Sequence, residues 1–189
     1  MPNWCNNTIT FTGPKEKIKA IWDEAKDQDK FLQILYPMPT ALEETTSPSD
    51  SPNWYDWRVH NWGTKWDIDV EEGLEYREEG DTGIIQGWFD SAWAPPIHAY
   101  EYFLTHNEDC SIKSYYYEGG CDFAGEWYDF ADAMLNPSDF TADEMEQKKS
   151  GLIYDLNEHF AFSESVREYE EESSDTEKFI VEKEAVNVG

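Results

Sequence analysis

Two hydrophobic periods alternate along this chain. Thr8 to Thr12 places Ile9 and Phe11 at every second residue and stops at Gly13-Pro14, which predicts a strand closed by a turn. From Lys15 to Lys26 the apolar residues Ile18, Ile21, Trp22 and Ala25 recur three and four apart, the spacing of one face of an amphipathic helix. Phe31 to Leu35 is a short apolar run halted by the prolines of Tyr36-Pro37-Met38-Pro39. Residues 40 to 53 are rich in Thr, Ser, Pro and acids and read as an exposed loop, and Trp54 to Trp62 predicts a short aromatic helix ending at Gly63.

The two-residue period returns at Asp67-Ile68-Asp69-Val70. Leu74 to Arg77 and Gly83 to Phe89 then flank a Gly80-Asp81 turn, so a β-meander is expected. Pro95-Pro96 opens a helix running to His106 with Ile97, Tyr100, Phe103 and Leu104 inward. Ile112 to Tyr117 and Cys121 to Trp127 read as a hairpin around Gly119-Gly120. This order of elements predicts an α+β fold, a ferredoxin-like split β-α-β sandwich with helices on one face of an antiparallel sheet. The domain is expected over residues 1–130. Residues 131–189 read as an acidic C-terminal extension, helical in part, with a helix from Asp143 to Phe162 and a charge-dense stretch from Glu164 to Glu184.

Charge narrows the function classes. The chain has 41 Asp and Glu against 14 Lys and Arg, a net charge of -27 at pH 7, while aromatic residues make up 16% and include nine Trp. Such a chain has ample apolar surface for a core, but it lacks the clustered cations that phosphate or anionic lipid requires. Its expected partner is a basic protein, with no direct nucleic acid and no membrane. No apolar run approaches the roughly 18 residues of a membrane span. Cys5, Cys110 and Cys121 are odd in number, without paired spacing or a secretory leader, which fits reduced thiols in the cytoplasm of a host cell.

Several Trp-containing motifs stand in a fixed order: Met1-Pro2-Asn3-Trp4-Cys5-Asn6-Asn7, Tyr36-Pro37-Met38-Pro39, Asn61-Trp62-Gly63-Thr64-Lys65-Trp66-Asp67 and Phe89-Asp90-Ser91-Ala92-Trp93-Ala94-Pro95-Pro96. Tyr117-Glu118 and Phe123-Ala124-Gly125 add a weaker match. In these motifs the chain resembles the YubB-type ferredoxin-like domain family of bacteriophage and conjugative-plasmid proteins, over about residues 1–130. It departs at Ser91 and Ala94, where the family more often has Thr and Ser. The resemblance implies a ferredoxin-like core and a mobile-element accessory protein, and it implies no reaction.

The residues themselves point to binding. His60, His98, His106 and His159 are scattered, and no Gly-x-Ser-x-Gly, Gly-rich phosphate loop or His-Glu-x-x-His occurs, so no catalytic residue, metal ligand or cofactor is assigned. A globule of 22.1 kDa exposes roughly 9,000 Å², so the net charge averages about one per 350 Å². Duplex DNA carries about one per 100 Å². Mimicry of nucleic acid therefore requires clustering, for which two groups are candidates: Asp67, Asp69, Glu71, Glu72, Glu75, Glu78, Glu79 and Asp81, and Glu168, Glu170, Glu171 and Glu172. The expected function is a non-enzymatic accessory protein that inhibits a basic, nucleic-acid-handling host protein such as a defence factor. The alternative is a small-molecule or peptide binder, in which Trp62, Lys65, Trp66 and Trp93 form an aromatic pocket around a cation.

Overall fold

A computed structural model of the chain describes residues 3–46, 49–71, 73–147 and 151–169. They fall into two compact units, divided after Leu135. In the first unit β1 (Trp4–Pro14) leads into α1 (Lys15–Gln28), then α2 (Leu32–Leu35) and α3 (Trp54–Asn61). The hairpin β2 (Leu74–Glu79) and β3 (Thr82–Ala92) follows, then α4 (Ile97–His106) and the strands β4 (Ser111–Glu118), β5 (Phe123–Tyr128) and β6 (Ala131–Leu135). The sheet has six strands in the order β2-β3-β1-β4-β5-β6, and every neighbouring pair is antiparallel.

Strand β3 lies between β1 and β2, and β1 lies between β3 and β4. These are the two split β-α-β crossovers expected of a ferredoxin-like sandwich, with β5 and β6 added beyond β4. Residues 131–135, grouped with the acidic extension on sequence, thus extend the sheet as β6, pairing Ala131 with Tyr128 and Leu135 with Ala124.

The two-residue period decides which face is covered. Cys5, Asn7, Ile9 and Phe11 of β1 point to the buried face, in register with Ser91, Gly87 and Ile85 or with Glu118, Tyr116, Ser114 and Ile112. Helix α1 contributes Ile18, Ile21 and Ala25 to this core, and α4 contributes Ala99, Tyr100, Phe103 and Leu104. Phe103 meets Phe11 edge-on at 5.2 Å, and Tyr100 tilts against Trp127 at 5.5 Å. Burying each such side chain contributes roughly 1.5–3 kcal/mol. Strand β1 is longer than its apolar alternation because Asn7 is satisfied inside: its Nδ2 donates to the Cys5 carbonyl at 2.7 Å and to Ser91 Oγ at 2.9 Å. The three cysteines are free thiols, and burial pushes the pKa of Cys5 up to about 12.

Two segments differ from their sequence pattern. Asp67 to Val70 alternates like a strand but forms none: Ile68 and Val70 are buried, while the Ile68 N–H donates to the Asp67 side chain at 2.9 Å. The period here records a loop lying on the core. The single helix expected from Asp143 to Phe162 is two, α5 (Ala142–Glu146) and α6 (Leu152–Phe160), because Gly151, with φ of 64°, restarts the backbone at the head of α6. A capping box between Thr141 and Glu144 starts α5, and Arg167 bonds Asp143 and Glu146, both at 2.9 Å. No helix among the described residues is long and apolar enough to cross a membrane.

Strand β3 outlasts β2. Their pairing ends at Leu74 opposite Gly87, so residues 88–92 keep β1 on one side only. One further bond, from the Trp88 N–H to the Gly73 carbonyl at 3.0 Å, closes the gap. It needs Gly87, which has φ of 140° and whose missing Cβ would overlap the Gly73 carbonyl. Gly87→Ala is expected to destabilise the protein by roughly 2–3 kcal/mol, read as a lowered midpoint of urea unfolding.

Candidate functional site

The unpaired flank of β3 is bordered by the loop that follows α3, and a pocket of about 290 Å³ opens between them. Trp4, Trp66 and Trp88 line it together with Asp67, Asp69 and Asp90. Trp88 and Asp90 alternate with the buried Phe89 and Ser91, so both emerge on the face of the sheet opposite α1 and α4. Trp88 is 57% exposed and Trp4 48%, both high values for indoles that line a concave surface. Trp4 tilts against Trp66 with ring centroids 5.6 Å apart. Asp90 is held from across the strand pair, where Asn6 lies in register with it and donates Nδ2 to Oδ1 at 2.6 Å.

Two sets of hydrogen bonds place the loop. Thr64 is fully buried: its Oγ1 accepts from the Ala92 N–H at 2.9 Å and donates to the Ala92 carbonyl at 3.0 Å. Asp67 accepts three backbone N–H bonds, from Leu32 at 2.6 Å, Gln33 at 3.0 Å and Ile68 at 2.9 Å, and so caps α2 from a distant part of the chain. Burial raises the Asp67 pKa, and these three bonds and the Arg58 guanidinium pull the other way. Asp69 stays exposed, its Oδ1 accepting from the Glu71 N–H at 2.8 Å. Asp29 is raised first by desolvation and then by the nearby Asp69 carboxylate.

A second cluster shares Trp66. The Lys65 Nζ lies 4.6 Å from the Trp66 ring centroid and 5.7 Å from those of both Tyr55 and Trp93, so three rings from three parts of the chain surround one ammonium. Tyr55 and Trp93 meet edge-on at 6.1 Å. Trp93 has φ of 72°, a left-handed conformation costing of order 1–3 kcal/mol for a bulky residue. Its N–H is anchored to the Asn3 carbonyl at 2.9 Å.

Of the four residues proposed for an aromatic pocket, Lys65, Trp66 and Trp93 therefore come together. Trp62 is fully buried, donating Nε1 to the Tyr36 carbonyl at 2.8 Å, with the Arg58 guanidinium 4.9 Å over its ring. Tyr55 takes the place beside Lys65.

The acids proposed as a partner face are divided. Asp67 is a cap, and Asp69 lines the pocket. Glu71 lies 3.9 Å from Lys26, and Glu78 lies 3.8 Å from Lys15. Glu79 pairs with Arg77, and Glu75 accepts from Gln86 Nε2 at 2.8 Å. On β2 the side chains of Glu75 and Glu79 share one sheet face, while Glu78 points with Tyr76 to the other. Asp81 is exposed in the turn, and Glu168 is exposed in the helical residues 162–169. Glu72, Glu170, Glu171 and Glu172 lie outside the described residues.

Nδ1 of His98 bonds the His60 carbonyl at 3.0 Å, and Nδ1 of His106 bonds the Tyr102 carbonyl at 2.7 Å. Among the described residues no three His, Cys, Asp or Glu side chains form a group able to hold a metal ion.

No family model and no curated protein matches the chain. Among solved structures it is similar to the protein api92 of Yersinia pseudotuberculosis, of family DUF1281, with a TM-score of 0.39 and 16% identity over 56% of this chain. The chain spans 39% of that protein's length. At that level the likeness bears on neither fold nor function.

Asp67→Ala strands three N–H donors and is expected to cost roughly 2–4 kcal/mol, whereas Asp67→Asn, which keeps an acceptor, costs less. Because burial raises the folded-state pKa of Asp67, its proton-linked contribution is complete below the unfolded pKa and is lost as pH rises through the folded one. The stability of wild type relative to Asp67→Asn should fall across that acid window and level off above it, as measured by urea unfolding at a series of pH values.

Proposed function

We propose that the chain is a non-enzymatic accessory protein of a phage or plasmid that binds and inhibits a basic, nucleic-acid-handling host protein, gripping it through the Trp4, Trp66 and Trp88 pocket. The observation that carries this reading is the meeting of three indoles with Asp69 and Asp90 in one concavity. A lysine or arginine of the partner finds ring faces and carboxylates there together, the chemistry of an interface anchor. The net charge of -27 supplies long-range steering and fast, salt-sensitive association. The mobile-element origin rests on the Trp-containing motifs, and those motifs contribute Trp4, Trp66, Asp67, Asp90, Ser91 and Ala92 to the pocket wall.

In this reading the acids steer and the pocket selects. Imitation of a phosphate backbone asks for an unbroken file of carboxylates, and the described part of the stretch from Asp67 to Asp81 divides its acids between two sheet faces, a cap and several lysine or arginine pairs. One grip point within a diffuse negative field binds a basic surface without copying DNA atom by atom.

Immobilised protein is expected to retain nucleic-acid-binding proteins from host lysate at low salt and to release them as salt rises. Trp88→Ala and Asp90→Asn should each cut retention at least tenfold, while changing stability by less than roughly 1 kcal/mol because both side chains are exposed. Unchanged retention by both variants, or no nucleic-acid-binding protein held at low salt, refutes the reading.

A further inference from the structure

We infer that Tyr55, Trp66 and Trp93 form a cation cage for a quaternary ammonium group, and that Lys65 is the cage's internal plug. The inference does not rest on the partner reading: its cluster shares Trp66 with that pocket but takes a different ligand, and the substitutions that test it leave Trp4, Trp88 and Asp90 in place.

Three observations carry it. First, the rings converge on a single Nζ from separate places in the fold: α3 supplies Tyr55, the loop after it supplies Trp66, and the residue after β3 supplies Trp93. Second, Lys65 turns to these rings in a chain of 41 acids, and no carboxylate lies within 4.0 Å of its Nζ among the described residues. By contrast Lys15, Lys17, Lys19, Lys26 and Lys113 each reach one. Third, Trp66 and Trp93 remain 37% exposed, so solvent and solutes reach the ring faces, and Trp93 is kept there by a left-handed backbone. Strain of this kind gathers where a side chain must be held in one place.

The choice of ligand follows from hydration. A lysine ammonium has three N–H donors, and ring faces satisfy them poorly. A quaternary ammonium carries the same charge with no donor to leave unpaired, and it sheds water more readily, so an aromatic cage favours it. Lys65 competes only because its tether gives it a high effective concentration at the rings. Withdrawing Lys65 should therefore open the site.

Full-length protein is titrated with tetramethylammonium chloride, with sodium chloride at equal ionic strength as control, while the indole N–H resonances are followed by NMR. Lys65→Ala is expected to bind tetramethylammonium at least tenfold more tightly than wild type, and sodium should not displace it. Adding Tyr55→Leu, which removes one ring without touching the strained Trp93 backbone, should abolish the gain. No gain in Lys65→Ala, or an equal gain in Lys65→Ala with Tyr55→Leu, overturns the proposal.

Peptides distinguish the source of the group. A trimethyllysine peptide binding Lys65→Ala at least tenfold better than tetramethylammonium marks a protein ligand, and equal binding marks a small one. An unmethylated lysine peptide that binds as well as the trimethylated one overturns the preference on which the cage rests.

Discussion

One carboxylate holds the loop on which both aromatic clusters depend. Asp67 accepts from two N–H groups at the head of α2, 35 and 34 residues away in sequence, and from its own neighbour Ile68. The helix gains the cap its own residues do not supply, since Phe31 offers no side-chain oxygen. In return Trp66, one residue before Asp67, is fixed where it serves the pocket and the cage at once. Thr64 fixes the other end of the same short segment to Ala92. Between two such anchors Lys65 and Trp66 have little freedom, so the positions of both clusters follow from buried polar bonds whose loss would cost about 1–3 kcal/mol each.

The second constraint is the unequal length of β2 and β3. A sheet edge normally continues until both partners stop, but here β3 runs on past Gly87. Its flank would expose unpaired backbone groups, a liability at any sheet edge. The loop carrying Asp67 and Asp69 shields that flank without pairing along it, and the mismatch between a loop and a strand edge leaves the concavity. Exposed indoles at Trp4 and Trp88 are the consequence, because the face on which they sit is the one that α1 and α4 do not cover.

Much of the architecture was legible because it depends on periods that survive in a single sequence. Ile9 and Phe11, Ile18 and Ile21, Tyr100 and Phe103 mark their strands and helices by spacing alone, and the order of those elements leads to the split crossovers. The loop at Ile68 and Val70 misleads because a strand in a sheet and a segment lying on a core bury alternate residues alike; only the hydrogen bonds differ, and here they go to Asp67. Strand β6 escapes notice because Ala131 to Leu135 has little apolar alternation and an almost wholly exposed burial pattern. In the site, Lys65, Trp66 and Trp93 were legible as aromatic and cationic residues close to turns. Trp88 and Asp90 were not, since their outward direction depends on the register with Thr8 and Asn6 across β1. The one available signal was that Trp88 sits beside Phe89, so that only one of the two can face the core.

The acidic composition and the aromatic clusters have a common physical logic. Carboxylates in this number repel one another, and where they approach, as at Asp29 and Asp69, the ionised form is penalised. Most described cations relieve this locally, pairing with single acids at the surface, where each pair contributes roughly 0–1 kcal/mol. Arg58 and Lys65 are spent differently, one between Trp54 and Trp62 and the other among three rings. The Arg58 Nε is buried without a hydrogen-bond partner, and burial lowers its pKa, so its place is maintained by the faces of the two indoles rather than by an ion pair. Lys65 is likewise half-buried among rings, of which Trp66 and Trp93 are partly open to solvent. Both cations are half-buried, but Arg58 lies against the fully buried Trp62 whereas two of the rings around Lys65 are open to solvent, and access to the ring faces is what separates a candidate binding site from a packing detail.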